Sequence, residues 1–368
     1  MQIVIIAFTN IEYTIELSEA LSKLVDLTLM IPENQAQRFE NVTDSNLMLT
    51  PFFQPRLRDF RNVLFVYKII NKIREFKPDI IHIQRGHPWF NFALPFLNQY
   101  CIITTIHDVM LHTGDMESRI IPKFTHKLAI KYADQIIVHG EGLKQEMMEE
   151  CSKKPDEIHV LARGVNSIYK RYIGENIEEE DHTVLFFGRI WGYKGLQYLI
   201  EAEPRITKEI PNLKIIIAGR GEDVNKMYGY KMINKDRYII HNNHIPNSMV
   251  AELFQKASLV VLPYTDASQS GVIPLAYAFG KPVVVTNVGS LPEVVDDGET
   301  GYIVSPKNSE ELADAIIDLL KNREKRKRMG EMALKKTQEE LSWENIALKT
   351  VEVYKKALSL KSRRIQKS

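Results

Sequence analysis

Arg189 and Lys194 bracket a short loop that carries Gly192, and Gly195 opens a stretch in which Leu196, Leu199 and Ile200 have helical spacing. An apolar run, Val184 to Phe187, precedes the loop, so the order reads strand, basic loop, helix. A helix N-terminus carries unpaired N–H groups and partial positive charge, and two fixed cations beside it make a site for phosphate or diphosphate. The plainer reading is a pair of solvated loop cations. A second stretch of similar kind runs through Ala267, Ser268, Gln269, Ser270 and Gly271, small or polar residues just before an apolar helix. Ser270 and Gly271 would offer backbone N–H groups with little side-chain bulk in the way. Two anion-ready ends after strands of one sheet, with two cations between them, favour a diphosphate ligand.

Other groups capable of chemistry lie in the first half. The strand in CIITTIHDV delivers His107 and Asp108 to its carboxyl end. One reading is an imidazole oriented by a carboxylate; the other is a pair that holds a turn. His112 and Asp115 follow closely, but with no cysteine near and no ligand spacing, no metal is expected.

The elements that must position these groups alternate between strand and helix. MQIVIIAF reads as a buried first strand with a turn at Ala7 to Asn10, Tyr13 to Lys23 as a helix, and LVDLTLMI as a second strand. This βαβ start predicts a doubly wound parallel sheet, whose ligands bind beyond the carboxyl ends of its strands. No G-x-G-x-x-G stands at the first turn, which argues against a dinucleotide cofactor. Residues 32–61 read as less regular. Val63 to Phe76 reads as a helix with Lys68, Lys72 and Arg74 on one face, and Ile80 to Ile83 as a strand. Charge gathers over Asn166 to His182, which reads as a linker. The second half repeats the alternation, with strands at Val184 to Phe187 and Leu213 to Ala218, a turn at Gly219, and a helix from Met249 capped by Asn247 or Ser248. A short helix is expected around Leu291, then one long amphipathic helix ending in KNREKRKRM. A last helix over Ser342 to Leu358 and a frayed KSRRIQKS tail complete the chain.

Composition narrows the class. The 368 residues suit two domains, and 44% apolar with 26% charged residues is the balance of a globular protein. Lys and Arg (48) nearly equal Asp and Glu (47), so no overall field argues for nucleic acid. Two cysteines, Cys101 and Cys151, make no disulfide framework and fit a reducing cytoplasm. No apolar run approaches the about 20 residues that span a bilayer, and no leader is visible. The basic stretches near the C-terminus read as solvated helix ends, with peripheral contact to acidic lipid at the inner membrane face as the second reading.

The pieces FGRIWGYKGLQYLIEA, KIIIAGRGED, LFQKASLVVLPY, SGVIPLAYAFGKPVVVTNVGSLPEVVDDGETGYIV and ARGVN, in this order, resemble the retaining glycosyltransferases of family 4, of GT-B fold. The resemblance implies two Rossmann-like domains facing a cleft: residues 1–166 for the acceptor, and 167–341 for a nucleotide-sugar donor. The helix 342–360 would return to the first domain. It implies that Arg189 and Lys194 bind the donor diphosphate and that Ser270, Gly271 and Val272 give N–H groups to the distal phosphate. Gly219, Ser268 and the region from Asn242 to Ile245 would complete the donor site, the last against the nucleobase. His107 resembles the histidine that faces the donor sugar. Acceptor contacts are sought at Asn10, Gln84, Arg85, His87 and Asp108, with Trp89 beside them.

The implied function is metal-independent transfer, with retention, of a sugar from a nucleoside diphosphate to a glycan or lipid-linked acceptor. No cofactor is called for beyond that donor substrate. One departure stands out. The glutamate pair usual in the family's donor turn and helix is missing; Ser268 and Ala276 are read at those places. A catalytically silent nucleotide-sugar-binding or scaffolding protein is therefore an alternative, as is a GT-B relative such as a phosphorylase or an epimerase.

Overall fold

The computed structural model describes residues 1–39, 47–84, 86–107, 123–165, 167–174 and 177–365. These form two compact units, one built from described residues of 1–164 together with 342–365, the other from those of 165–341.

The first unit opens with β1 (Gln2–Ala7), α1 (Ile11–Ser22), β2 (Asp26–Pro32), α2 (Glu33–Phe39), β3 (Met48–Phe52), α3 (Asn62–Phe76), β4 (Ile80–Gln84) and α4 (Pro88–Asn91). It continues with β5 (Cys101–Thr105), α5 (Lys123–Tyr132), β6 (Gln135–Val138), α6 (Glu141–Cys151) and β7 (Ile158–Val160). Its seven strands lie in the order β3-β2-β1-β4-β5-β6-β7, and every pair is parallel. Helices cover both faces, so the central strands read as near-continuous apolar runs rather than alternating ones. Ile3 to Ala7 and Ile80 to Gln84 are buried without a break.

The second unit holds β8 (Thr183–Phe187), α7 (Leu196–Glu209), β9 (Lys214–Ala218), α8 (Val224–Tyr228), β10 (Tyr238–His241), α9 (Asn247–Lys256) and β11 (Leu259–Leu262). After these come α10 (Val272–Ala278), β12 (Val283–Thr286), β13 (Gly301–Val304), α11 (Ser309–Lys321) and α12 (Arg323–Gln338). Its six parallel strands lie in the order β10-β9-β8-β11-β12-β13. Each sheet reverses its winding once, between β1 and β4 in the first and between β8 and β11 in the second. In doubly wound sheets that switch point, at the carboxyl ends, is where a ligand fits.

Several local expectations need correction. The stretch read as irregular contains α2 and β3; the strand escapes pattern reading because it is an edge with Pro51 in it and its residues are half-buried. The edge strand β10 escapes pattern reading because it too is only half-buried. Residues 287–300 form turns rather than a short helix, and α9 begins after Pro246 with no side-chain cap. The long basic helix is two helices broken at Asn322, which ends the first and whose side-chain amide donates to the Asp318 carbonyl and carboxylate.

The charged segment read as a linker is fastened to the second unit. Arg326 is buried and donates to Glu179, to Asp181 (3.0 Å) and to the carbonyls of Leu319 and Leu320. Lys281, also buried, donates to Glu179 Oε2 at 3.0 Å. The core of the basic run is thus consumed internally.

Of the tail read as frayed, the described residues 361–365 continue α13 (Trp343–Ile365), which packs on α1 and β5. Lys361 donates to the carbonyls of Asn98 and Tyr100 and to Asp134. Deeper in, Tyr354 Oη lies 2.6 Å from His82 Nδ1, and His82 Nε2 lies 2.8 Å from Thr105 Oγ1.

Burial holds the His82 pKa at about 3 and that of His87 at about 4, against an ordinary 6.5. A folded-state value below the unfolded one means that the unfolded chain takes up these protons first as pH falls. Stability should be complete above about pH 6.5 and decline below it, by about 1.4 kcal/mol per pH unit for each histidine. Urea unfolding from pH 7.5 to 5, where carboxylates stay ionised, checks this; a flat profile contradicts it. Separately, Gly219→Ala should cost about 3 kcal/mol in the same assay, since Gly219 has φ +153 and a Cβ there would lie 1.7 Å from the Gly188 carbonyl oxygen.

Candidate active site

In the second unit the turns that leave β8 and β9 run side by side. Gly188 N–H donates to Ala218 O (3.0 Å), Ile190 N–H to Arg220 O (2.9 Å) and Glu222 N–H back to Ile190 O (2.8 Å). The approach is so close that a Cβ at Gly221 would lie 2.2 Å from Ile190 O. Gly195 makes the third such approach: at φ +68 it caps α7, and a Cβ there would lie 1.8 Å from Pro263 O at the end of β11. Arg189 and Lys194 therefore leave a loop that is fastened on both sides, by β9's turn and by β11's.

Their side chains meet tyrosines. Arg189 Nη2 donates to Tyr193 Oη at 3.3 Å, and Lys194 Nζ stands 3.6 Å from the centroid of the Tyr264 ring and 5.0 Å from that of Tyr193. Thr265 N–H donates to Tyr193 O (2.8 Å), tying the loop to the residue after Tyr264. Burial drives the Tyr264 phenol well above its ordinary value of 10, so the ring under the ammonium stays neutral. A neutral ring holds the cation through its face without cancelling its charge. Neither tyrosine was singled out in the sequence. The signal for Tyr264 was its place directly after a buried strand, opposite the basic loop.

Ser270 joins this group, with Oγ 3.5 Å from Tyr264 Oη. Val272 N–H, expected to point at a phosphate, donates to Ser270 Oγ at 3.2 Å. Gly271 sits at φ −75, an ordinary helical value. The carbonyl of Ser268 accepts from Ser290 N–H (3.2 Å), and Ser268 is buried, so this turn is braced by the next loop. Ala276 is fully buried in α10, and no carboxylate occurs anywhere from Ala267 to Phe279. Asn242 serves the framework: its Oδ1 accepts from Val224 N–H at 2.8 Å and its amide reaches Gly219 O at 3.5 Å. Ile245 is buried.

In the first unit the carboxyl end of the sheet carries a ring cluster. His107 and His139 lie 4.9 Å apart between centroids, Tyr13 packs edge-on to both, and Trp343 of α13 packs on Tyr13 at 5.0 Å. The Arg163 guanidinium lies over Tyr13 and approaches His107 Nδ1 at 3.4 Å. Arginine only donates, so His107 Nδ1 is the acceptor in that approach. Trp343 Nε1 donates to Glu16. Arg163 and Tyr13 were not picked from the sequence, although ARGVN contains the first.

The expected acceptor contacts separate. Asn10 caps α1 in the left-handed region (φ 57) at the carboxyl end of β1, and stays part-exposed. Gln84 is sealed inside, its amide 3.2 Å from His82 Nε2. His87 is buried against Phe8 and Phe65, and Trp89 donates to Leu57 O at 2.9 Å. Gln84 and His87 are thus core residues: β4 is central in the sheet, so its last side chains face neighbours rather than solvent. Arg85, Asp108, His112 and Asp115 lie outside the described residues. Among the described residues no group of three His, Cys, Asp or Glu has the spacing of a metal site.

Comparison with known proteins gives the geometry its context. Residues 173–336 match the family described as Glycosyl transferases group 1, and residues 12–167 match Glycosyltransferase Family 4. An uncharacterised glycosyltransferase of Methanocaldococcus jannaschii is 30% identical over 311 residues, 78% of this chain and 77% of its own. Sucrose-phosphate synthase from Thermosynechococcus elongatus superposes with TM-score 0.73 at 17% identity, over 98% of this chain and 100% of that one. Anabaena HepE in complex with UDP-glucose does so with TM-score 0.73 at 16% identity, over 96% and 99%. With two doubly wound parallel sheets and matches of this extent, the chain belongs to the group 1 glycosyltransferases of family 4 and has their GT-B fold.

Proposed function

We propose that this glycosyltransferase transfers a sugar, with retention, from a nucleoside diphosphate to a hydroxyl of a glycan or lipid-linked acceptor. The second unit is assigned to the donor and the first to the acceptor. The observation that carries the reading is the pair Arg189 and Lys194, held at the β8/β11 switch point by three close glycine approaches and by the Tyr264 ring. When the sugar leaves, negative charge builds on the diphosphate and positive charge on the anomeric carbon. Cations fixed beforehand need no reorganisation to meet that charge, and groups of this kind are worth about 3–4 kcal/mol each. Two of them on the leaving group suffice without a divalent ion, so turnover is proposed to be metal-independent.

His107 is assigned, from the family resemblance, to face the transferring sugar. Retention rests on the family resemblance: with no carboxylate from 267 to 279 to form a covalent intermediate, the acceptor hydroxyl would attack from the face the diphosphate leaves. A UDP-sugar is the first donor to test, because the similarly folded HepE is bound to UDP-glucose. The second reading, a nucleotide-sugar-binding protein without turnover, is favoured by the same missing carboxylates.

Calorimetric titration with a panel of sugar nucleotides and their bare diphosphates should show binding to the wild type and its loss in Arg189→Ala/Lys194→Ala. Binding without turnover for any acceptor selects the second reading; no binding by wild type removes both. In the transfer assay Lys194→Ala should lower kcat at least about a hundredfold, and EDTA should leave the wild-type rate unchanged. Tyr264→Phe, which keeps the ring, should retain most of the rate, whereas Tyr264→Leu should lose about tenfold as the ammonium loses its seat. Equal rates for Tyr264→Leu and wild type contradict the role given to the ring.

A further inference from the structure

Helix α3 is apolar on two faces. Phe65, Ile69, Ile70 and Ile73 enter the core of the first unit, as expected of a helix on a sheet. On the other side Val63, Leu64 and Tyr67 are 65%, 54% and 61% exposed, and Phe60, in the turn just before the helix, is 86% exposed. Phe53, 55% exposed, extends this surface from the end of β3. Between β3 and α3 lies an open groove of about 440 Å³, floored by Phe52, Phe65 and Ile69 and rimmed by Arg61, Lys68 and Lys72. Contiguous exposed apolar surface of this kind is uncommon on a protein that stays in water alone.

The charge around it has one sign. From Phe53 to Phe76 the sequence has six Arg and Lys against two carboxylates. Both carboxylates are taken: Asp59 is bonded to Arg61 at 2.6 Å, and Glu75 to Lys72 at 3.0 Å. Arg56, Arg58 and Lys68 stand exposed beside the apolar face. Aromatic and aliphatic side chains framed by cations match a surface that is apolar below and anionic above. The basic run of α12 lacks this character, since its central Arg326 is buried in ion pairs and no comparable apolar face adjoins it.

We propose that α3 and the adjoining groove dock on an anionic phospholipid bilayer, the apolar residues entering the headgroup boundary and the cations meeting lipid phosphates. No helix among the described residues is long and apolar enough to cross a membrane, so the contact is peripheral. The proposal does not depend on the identity of the donor or on turnover.

The test is co-sedimentation of the full chain with extruded vesicles of phosphatidylcholine alone or with about 30% phosphatidylglycerol. Wild type should bind the anionic vesicles about tenfold more tightly than the neutral ones, and raising salt should weaken that binding. Phe60→Ser/Tyr67→Ser and Arg58→Glu/Lys68→Glu should each lose about tenfold. Lys327→Glu/Arg328→Glu in α12 should bind as wild type. All three pairs are surface changes, and unchanged thermal midpoints and donor binding will show that the fold is kept. Failure of wild type to bind anionic vesicles overturns the proposal, as does full binding by the α3 variants or loss in the α12 variant. A concentration-dependent dimer abolished by Phe60→Ser/Tyr67→Ser, without vesicle binding, would instead assign the face to a second copy of the chain.

Discussion

The approach of the Gly219 backbone to the Gly188 carbonyl sets the geometry of the donor side. At Gly219 and Gly221 a single added carbon would overlap the neighbouring peptide, so the turn after β9 can lie beside that after β8 only with glycine at these two places. Once they do, backbone hydrogen bonds continue past the ends of the strands, from Gly188 to Ala218 and from Ile190 to Arg220. The loop that carries Arg189 is then an extension of the sheet rather than a mobile connection. Gly195 does the same against β11 and fixes the position of Lys194. Long cations normally lose much rotamer freedom on meeting a ligand. Here the Tyr193 hydroxyl and the Tyr264 ring take up part of that loss in the fold itself.

The first unit follows a different rule. In and beyond the carboxyl half of its sheet lie imidazoles, phenols and an indole, and several are buried: His82, His87, His139, Tyr13 and Tyr354. Some of their polar atoms are matched to each other or to backbone, as in Tyr354 to His82 and His139 Nδ1 to Leu161 O. Such networks specify one arrangement, because each member left without its partner is costly. The helix α13 supplies two of the partners, Trp343 and Tyr354.

Much of this was legible in the sequence, for a physical reason. Strands buried on both faces must be continuous apolar runs, so IVIIA, DIIHI, TVLFF, KIIIA and LVVL announced parallel sheets, and the cations after TVLFF announced a site at a strand end. The edges were not legible. Strands β3 and β10 are only half-buried, so their composition is close to that of loops. Nor were partners distant in the chain: nothing near Arg326 says that Glu179 will neutralise it, and nothing near His82 says that Tyr354 of α13 will bond it. Position after a strand predicted exposure for Gln84 and His87. That inference fails at the middle of a sheet whose carboxyl edge is covered by aromatic rings.

The return of α13 to the first unit has a consequence for biosynthesis. The bond between His82 and Tyr354 joins residues 272 apart, and the whole of the second unit lies between them in the chain. On the ribosome the first sheet emerges early but waits, with its α1 and β5 faces open, while the second unit is made. The described residues of the second unit come from one stretch, 165–341, which can close as soon as it clears the exit tunnel. Emergence order and folding order are therefore reversed. The half of the protein translated first is the half completed last, and its uncovered apolar surface is the one that a chaperone would have to shield in the interval.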